Sequence, residues 1–344
     1  MIARYRHLFV TLAGVYAAMT LLSGLNTNGQ PLKPAAWRFE VPRFLLVEQY
    51  DRNGAVRWTI NAYNQRKILE QAAINVTLGV GMTFVILTGG IDLSVGAMLA
   101  LCNVVFVRVL LGSADAGGPS DSALLLGIAV AVGVGTVSGI LNGWLAVGLR
   151  IPSFIVTLGT LLVLRGAAYW VSEGQTYLRA CPAGLTIALP IGVSVAAVLA
   201  GGLFLSTTAR GRLVYAVGGN LTAARYAGVP TARIRVMCFA FSGLCAGLAG
   251  VIFWSRTSTG SYTAGEGAEL YAIAAVVLGG TRLAGGEGTI IGTFIGALIM
   301  AVLANGLNTA SVHELTQKII VGCVLIAAAY IDSRRNRGGS SLVV

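Results

Sequence analysis

Acidic and imidazole side chains are nearly missing from this chain. Its 344 residues hold 13 Asp and Glu and two histidines, His7 and His313, against 24 Lys and Arg. The histidines lie near the ends of apolar runs and the acids do not cluster. Neither a general acid–base pair nor a serine, histidine and acid arrangement can be assembled, so a membrane-embedded enzyme finds no catalytic residues here. No GxxxxGK[ST] stretch occurs, so the chain is not expected to hydrolyse ATP by itself. Cysteine is sparse too. Cys102, Cys181, Cys238, Cys245 and Cys323 are scattered, odd in number and without CxxC spacing. Neither a disulfide framework, nor a metal site, nor a cofactor is indicated.

Charge of either sign is the largest deficit. Charged residues make up 11% of the chain and hydrophobic ones 56%, with a mean hydropathy of +0.78. A soluble domain carries roughly 25% charge, so this is an integral membrane protein. Several apolar runs reach the roughly 20 residues that cross a bilayer as helix, whereas barrel strands would show alternating segments of about ten. The fold class is therefore all-α. The net charge of +11 is read as loop topology, since Lys and Arg gather on one side of a membrane, and no nucleic-acid partner is expected.

Taken in order, the spans are expected at about 8–25, 69–87, 93–111, 123–149, 154–171, 185–206, 234–254, 270–283, 288–307 and 315–331. Basic residues before the first span suit a signal peptide, but no small-residue cleavage site follows, so it is read as a retained span. The segment 26–67 between the first two spans is polar, with Pro31, Pro34 and Pro42, and its Asp51–Gly54 turn beside Val56–Ile60 allows a small hairpin. The loop from Gly112 to Ser122 has acids and no Lys or Arg and should face outward. The loop after the sixth span, 207–233 with the residues just after it, holds Arg210, Arg212, Arg225, Arg233 and Arg235 and no acid, so it should be cytoplasmic. It follows an even number of spans, and with Arg334, Arg335 and Arg337 in the tail both termini are expected in the cytoplasm. The segment 26–67 then lies outside despite seven Lys and Arg, which long translocated loops tolerate.

One stretch breaks the lipid-like pattern. Thr88-Gly-Gly-Ile-Asp-Leu-Ser-Val-Gly96 sets Asp92 and three glycines between two apolar runs. A carboxylate inside a bilayer costs several kcal/mol and normally faces a bundle interior or a watery cavity. Two readings stand: a transport pathway, or an acid at the membrane surface capping the next helix. Gly279-Gly-Thr-Arg-Leu-Ala-Gly-Gly286 repeats the GGxxLxxG spacing in the second half of the chain, with Arg282 where the first copy has Asp92. Two glycine-interrupted segments in matching places point to a transporter of two pseudo-repeat halves, though 46 glycines also produce chance matches. Between them, Asn220 is a helix cap, Leu221–Ala227 a short helix, and Gly228 with Pro230 its stop. That helix either docks a motor or only joins two spans.

Four ordered motifs carry a resemblance. They are Val80 to Gly96, Ile151-Pro-Ser-Phe-Ile-Val-Thr-Leu-Gly159, the Gly211 to Gly228 loop, and Gly279 to Thr289. Together they resemble the permease subunits of ribose, xylose and galactofuranose type ABC importers across about 68–331. The resemblance implies a single transmembrane permease domain over 1–344 in the bacterial inner membrane, with 26–67 periplasmic and 207–233 a cytoplasmic coupling loop. It also implies a second permease chain, identical or different, ATPase subunits that hydrolyse ATP elsewhere, and a periplasmic sugar-binding protein. The segment 26–67 is longer than that family usually has. By position, Gly219, Asn220, Ala223, Ala224 and Gly228 would contact the ATPase. Asn75, Thr77, Thr83, Thr88 and Ser94, with Asp92 and Arg282, are candidates to line the path of a neutral sugar, although small polar residues also serve helix packing. The rival is a secondary transporter driven by an ion, with Asp92 as its titrating group.

Overall fold

The computed structural model describes residues 2–23, 25–26, 38–39, 46–50, 56–112 and 119–339. Apolar segments in lipid satisfy their backbone only as helices or closed barrels, and this chain forms helices. They are α1 (Ile2–Ser23), α2 (Ala62–Leu87), α3 (Val95–Gly112), α4 (Asp121–Gly148), α5 (Ser153–Ser172), α6 (Leu185–Thr207), α7 (Ala209–Gly219), α8 (Leu221–Tyr226), α9 (Thr231–Thr257), α10 (Ala268–Leu278), α11 (Ile290–Thr309) and α12 (Glu314–Gly339). Seven of them, α2 to α6, α9 and α11, are long and apolar enough to cross a membrane. With α1, α12 and the short apolar α10, the bundle reaches the expected ten.

Among the described residues, strand is confined to two-stranded antiparallel pairs: β1 (Leu25–Asn26) with β2 (Arg38–Phe39), β3 (Leu46–Tyr50) with β4 (Val56–Ile60), and β5 (Tyr177–Leu178) with β6 (Thr259–Gly260). The expected hairpin is present, registered from Leu46 opposite Ile60 to Tyr50 opposite Val56. Its turn at Asp51–Gly54, the prolines of the same segment and most of the outward loop after α3 lie outside the described residues, as do the side chains of Arg4, Arg334, Arg335 and Arg337.

Helix ends follow their capping chemistry. Asn61 Oδ1 accepts the Asn64 N–H (3.0 Å), so α2 starts at Ala62, seven residues before the apolar run at Leu69. Arg66 then pairs with Glu70 one turn on (2.7 Å), a helical spacing that hydropathy does not register. Thr208 accepts the Gly211 N–H (2.9 Å) and begins α7, which the sequence reading did not anticipate.

Burial sorts the helices into two shells. Every residue of α2 from Ala72 to Leu87 is buried, and so is α3 from Val95 to Val104. Around them, α4, α5 and α6 turn large apolar side chains outward, among them Leu125, Trp144, Leu162, Trp170 and Leu199. In water such a surface would be an aggregation hazard, whereas against lipid tails it has the right composition. The tightest seam joins α4 to α9, where Gly135, Gly139 and Gly143 lie against Phe239, Gly243 and Val236. A Cβ on Gly143 would come 2.8 Å from Val236 Cα, so only glycine permits this approach.

Candidate functional site

The chain unwinds at both places where the glycine motif occurs. After α2, Gly89 takes φ +73°, its N–H donates to Ile86 O (2.8 Å), and the Gly90 N–H donates to Val85 O (3.0 Å). After α10, Gly280 takes φ +85°, its N–H donates to Val277 O (2.9 Å), and the Thr281 N–H donates to Val276 O (3.1 Å). Both are the same left-handed glycine cap with paired reverse bonds. The equivalence therefore matches Gly89 with Gly280, one residue away from the register that the motif spacing suggests. Asp92 and Arg282 are consequently not structural counterparts.

Asp92 is wholly buried. Its Oδ1 accepts the Ser94 N–H (3.0 Å) and the Ser94 hydroxyl (2.6 Å), and its Oδ2 accepts the Ser242 hydroxyl (3.0 Å) from α9. Asn142 of α4 donates to Ser94 Oγ (2.7 Å). Ser242 lies some 16 Å along α9 from Thr231, at 1.5 Å per residue, so the carboxylate is far from a surface. Three donors and, among the described residues, no cation meet this buried carboxyl group, while Asn142 Oδ1 in the same polar network is buried without a partner. Ser94, not Asp92, holds the cap position of α3, its carbonyl accepting the Met98 N–H (2.8 Å). The rest of the break is fastened from α5: Ser153 Oγ accepts the Ile91 N–H and Thr157 Oγ1 the Leu93 N–H, both at 3.1 Å.

The two breaks touch. The Gly286 N–H donates to Leu87 O (3.0 Å), the last carbonyl of α2. Gly218, next to last in α7, fits between them: a Cβ there would overlap Leu87 O and come 2.5 Å from Gly286 N. The Tyr215 hydroxyl, also on α7, donates to Gly288 O (3.0 Å). Two residues past Gly218, Asn220 Oδ1 accepts the Ala223 N–H (2.9 Å) and starts α8, which Gly228 (φ +78°) closes, with the Val229 N–H on Ala224 O (3.0 Å). The short helix expected from Asn220 and Gly228 thus stands at the foot of both broken helices.

The other singled-out residues take separate positions. Thr83 shares a 2.7 Å hydroxyl contact with Thr293 of α11 and donates to Gly79 O, tying α2 to α11. Thr77 and Thr88 bond back to carbonyls of their own helix. Asn75 is buried with its amide nitrogen unpartnered. Arg282 is part-exposed and pairs with Glu287 (2.7 Å), five residues on, so it does not neutralise Asp92. Gly219 and Ala223 are exposed, and Ala224 is buried beneath α8. Sequence reasoning missed Asn142, Ser242, Thr293 and Gly218. Two of them belong to the small-residue pattern of their helices, but nothing local marks which partner each meets.

Among the described residues no group of His, Cys, Asp or Glu could hold a metal ion. Charged groups elsewhere fix loops: Arg165 donates to Tyr262 O (2.7 Å) and Ala264 O (2.8 Å), and Arg108 pairs with Glu173 (3.1 Å).

A bundle of apolar helices with two glycine-capped breaks and a basic connecting helix defines a multi-pass membrane transport subunit. The chain belongs to the family described as the branched-chain amino acid transport system / permease component, which matches residues 65–329. It is similar to the ribose import permease protein RbsC of Escherichia coli (strain K12), 39% identical over 290 residues, covering 81% of this chain and 87% of that protein. RbsC of Bacillus subtilis (strain 168) is 39% identical over 285 residues, covering 79% and 85%. The xylose transport system permease protein XylH of Escherichia coli (strain K12) is 35% identical over 347 residues, covering 81% and 86%. No solved structure matches the chain. The resemblance to sugar-importer permeases is borne out, and these relatives favour it over an ion-coupled secondary transporter. The chain is a multi-pass inner-membrane protein and a transporter subunit rather than an enzyme.

Proposed function

We propose that this chain forms the translocation path of an ATP-binding cassette importer for a monosaccharide, working with separate ATPase subunits, a periplasmic sugar-binding protein and a second permease chain. Both termini and the 207–233 loop face the cytoplasm, and 26–67 faces the periplasm. One observation carries the reading: α8, a short capped helix on a basic loop, grows directly out of the junction where both broken helices meet. ATPase closure against Gly219, Asn220, Ala223, Ala224 and Gly228 would push on Gly218, and through it on Leu87 and Gly286. The breaks then shift together, because each hydrogen-bonds or abuts the other. Asn75, with its unpartnered amide, and the Thr83 hydroxyl offer sugar-matching groups on α2, while Thr88, Asp92, Ser94 and Arg282 shape the two breaks.

The test is uptake into proteoliposomes holding this chain with an ATPase subunit and a sugar-binding protein from the same organism. Radiolabelled ribose, xylose and allose are the probes. ATP-dependent accumulation that vanishes without the ATPase supports the proposal. Accumulation by the chain alone under a proton or sodium gradient overturns it.

A further inference from the structure

Four arginines at the α8 end of the bundle have no acidic company, and the transport path uses none of them. Arg150 sits in the turn between α4 and α5, Arg225 in the last turn of α8, and Arg233 and Arg235 in the first turns of α9. Arg150, Arg225 and Arg235, with Pro152, Leu221 and Thr231, line a cavity of about 650 Å³ that has no carboxylate in its wall. Among the described residues none of the four arginines forms an ion pair. Arg225 and Arg235 are close enough to repel each other, and the Arg235 Nε is buried without a hydrogen-bond partner. Like charges held together around a void attract an anion.

An apolar space adjoins this cavity. A groove of about 570 Å³ runs between α4 and α9, lined by Ile140, Trp144, Val147, Val236, Met237 and Ala240, with Arg233 at its rim. Val147 and Ala232 border both spaces, so the groove and the arginine pocket lie side by side. From Ala232 to Ala240 it extends about 12 Å along α9, and both its walls are membrane-crossing helices. An acidic peptide would satisfy the arginines and leave the groove empty. A neutral lipid would fill the groove and leave the arginines unmet. An anionic lipid meets both, as basic pockets between membrane helices on the cytoplasmic side do elsewhere.

We infer that this composite site binds an anionic glycerophospholipid, its phosphate among Arg150, Arg225 and Arg235 and one acyl chain along the α4–α9 groove. The site rests on the membrane class of the protein and not on which solute it carries. Because Arg225 belongs to α8, the bound headgroup bridges α8 to the α4–α5 turn.

The test uses the full-length chain in detergent, titrated with dioleoylphosphatidylglycerol, dioleoylphosphatidylcholine or inorganic phosphate, with native mass spectrometry and the thermal midpoint as readouts. The wild type should retain phosphatidylglycerol in preference to phosphatidylcholine and gain a higher midpoint from it. Arg150→Gln with Arg235→Gln should weaken that binding roughly 30-fold, the expectation for two cations lost near an anionic headgroup. Ala240→Trp, which fills the groove and leaves the arginines intact, should lower lipid retention several-fold. Equal retention of the two lipids by the wild type, or unchanged phosphatidylglycerol binding by the double variant, overturns the inference. A midpoint rise from inorganic phosphate alone equal to that from the lipid overturns it in favour of a free-anion site. Lost affinity for the ATPase subunit with unaltered lipid binding overturns it in favour of a protein contact. The wild-type lipid comparison stands whether or not either variant folds.

Discussion

Adding one methyl group at Gly218 tests whether α8 is mechanically tied to the broken helices. The new Cβ would overlap Leu87 O, lie 2.5 Å from Gly286 N and 2.9 Å from Leu87 C, all of them backbone atoms that no rotamer change can clear. The 3.0 Å bond from Gly286 to Leu87 must lengthen or break, at about 1 kcal/mol for the bond. Forcing the three segments apart adds about 1–3 kcal/mol of overpacking. A cost of about 2–4 kcal/mol is expected for Gly218→Ala, with a thermal midpoint lower by a few degrees. Gly202→Ala in α6 is the control, since a Cβ there meets nothing within 4 Å and the residue lies outside the proposed ATPase contact. In proteoliposomes with the partner subunits, Gly218→Ala should hydrolyse ATP while importing less sugar per ATP, and Gly202→Ala should keep the wild-type ratio. Unaltered sugar import per ATP in a correctly inserted Gly218→Ala would show that the junction transmits nothing.

Asp92→Leu strands three buried donors, from Ser94 and Ser242, and should cost about 3–5 kcal/mol, whereas Asp92→Asn keeps one oxygen and should cost about 1–2. Equal thermal stability of the two variants in detergent would refute the network. Thr83→Val and Thr293→Val should show a coupling of about 1 kcal/mol in a double-mutant cycle, because the two hydroxyls face each other at 2.7 Å. Gly228 has open space around it but φ +78°, so Gly228→Asn should support uptake and Gly228→Val should uncouple it, with both at normal membrane levels. Burial pushes the Cys181 thiol up to about 11, leaving roughly one part in ten thousand as thiolate at pH 7. Its alkylation by iodoacetamide should therefore accelerate about tenfold per pH unit up to pH 11, a signal that Cys181→Ser should remove.

What could be read from the chain beforehand was whatever depends on neighbours in sequence. Apolar runs located the bundle helices, most ends to within about three residues, because each closes its own hydrogen bonds, while the start of α1 and the ends of α10 and α12 moved further. Where a boundary moved, as at Ala62, an asparagine cap and an Arg66–Glu70 pair one turn apart had extended a helix into polar sequence. The α8 helix was legible because Asn220 and Gly228 act on backbone groups three to five residues away. Asp92 was legible as an anomaly and illegible as a contact, since its partner Ser242 lies 150 positions on and is one of many small residues in α9. The same holds for the repeat. Glycine spacing aligned the two motifs one residue out of register, because spacing counts residues while the left-handed cap is set by where each helix can last pair its carbonyls, Val85 in one half and Val276 in the other. Gly218 marks the limit of the method from the other side. Nothing in Ala216-Val-Gly-Gly-Asn220 distinguishes its two glycines, yet one is wedged against two backbones and its neighbour borders open space, a difference created only when Leu87 and Gly286 arrive from elsewhere in the chain.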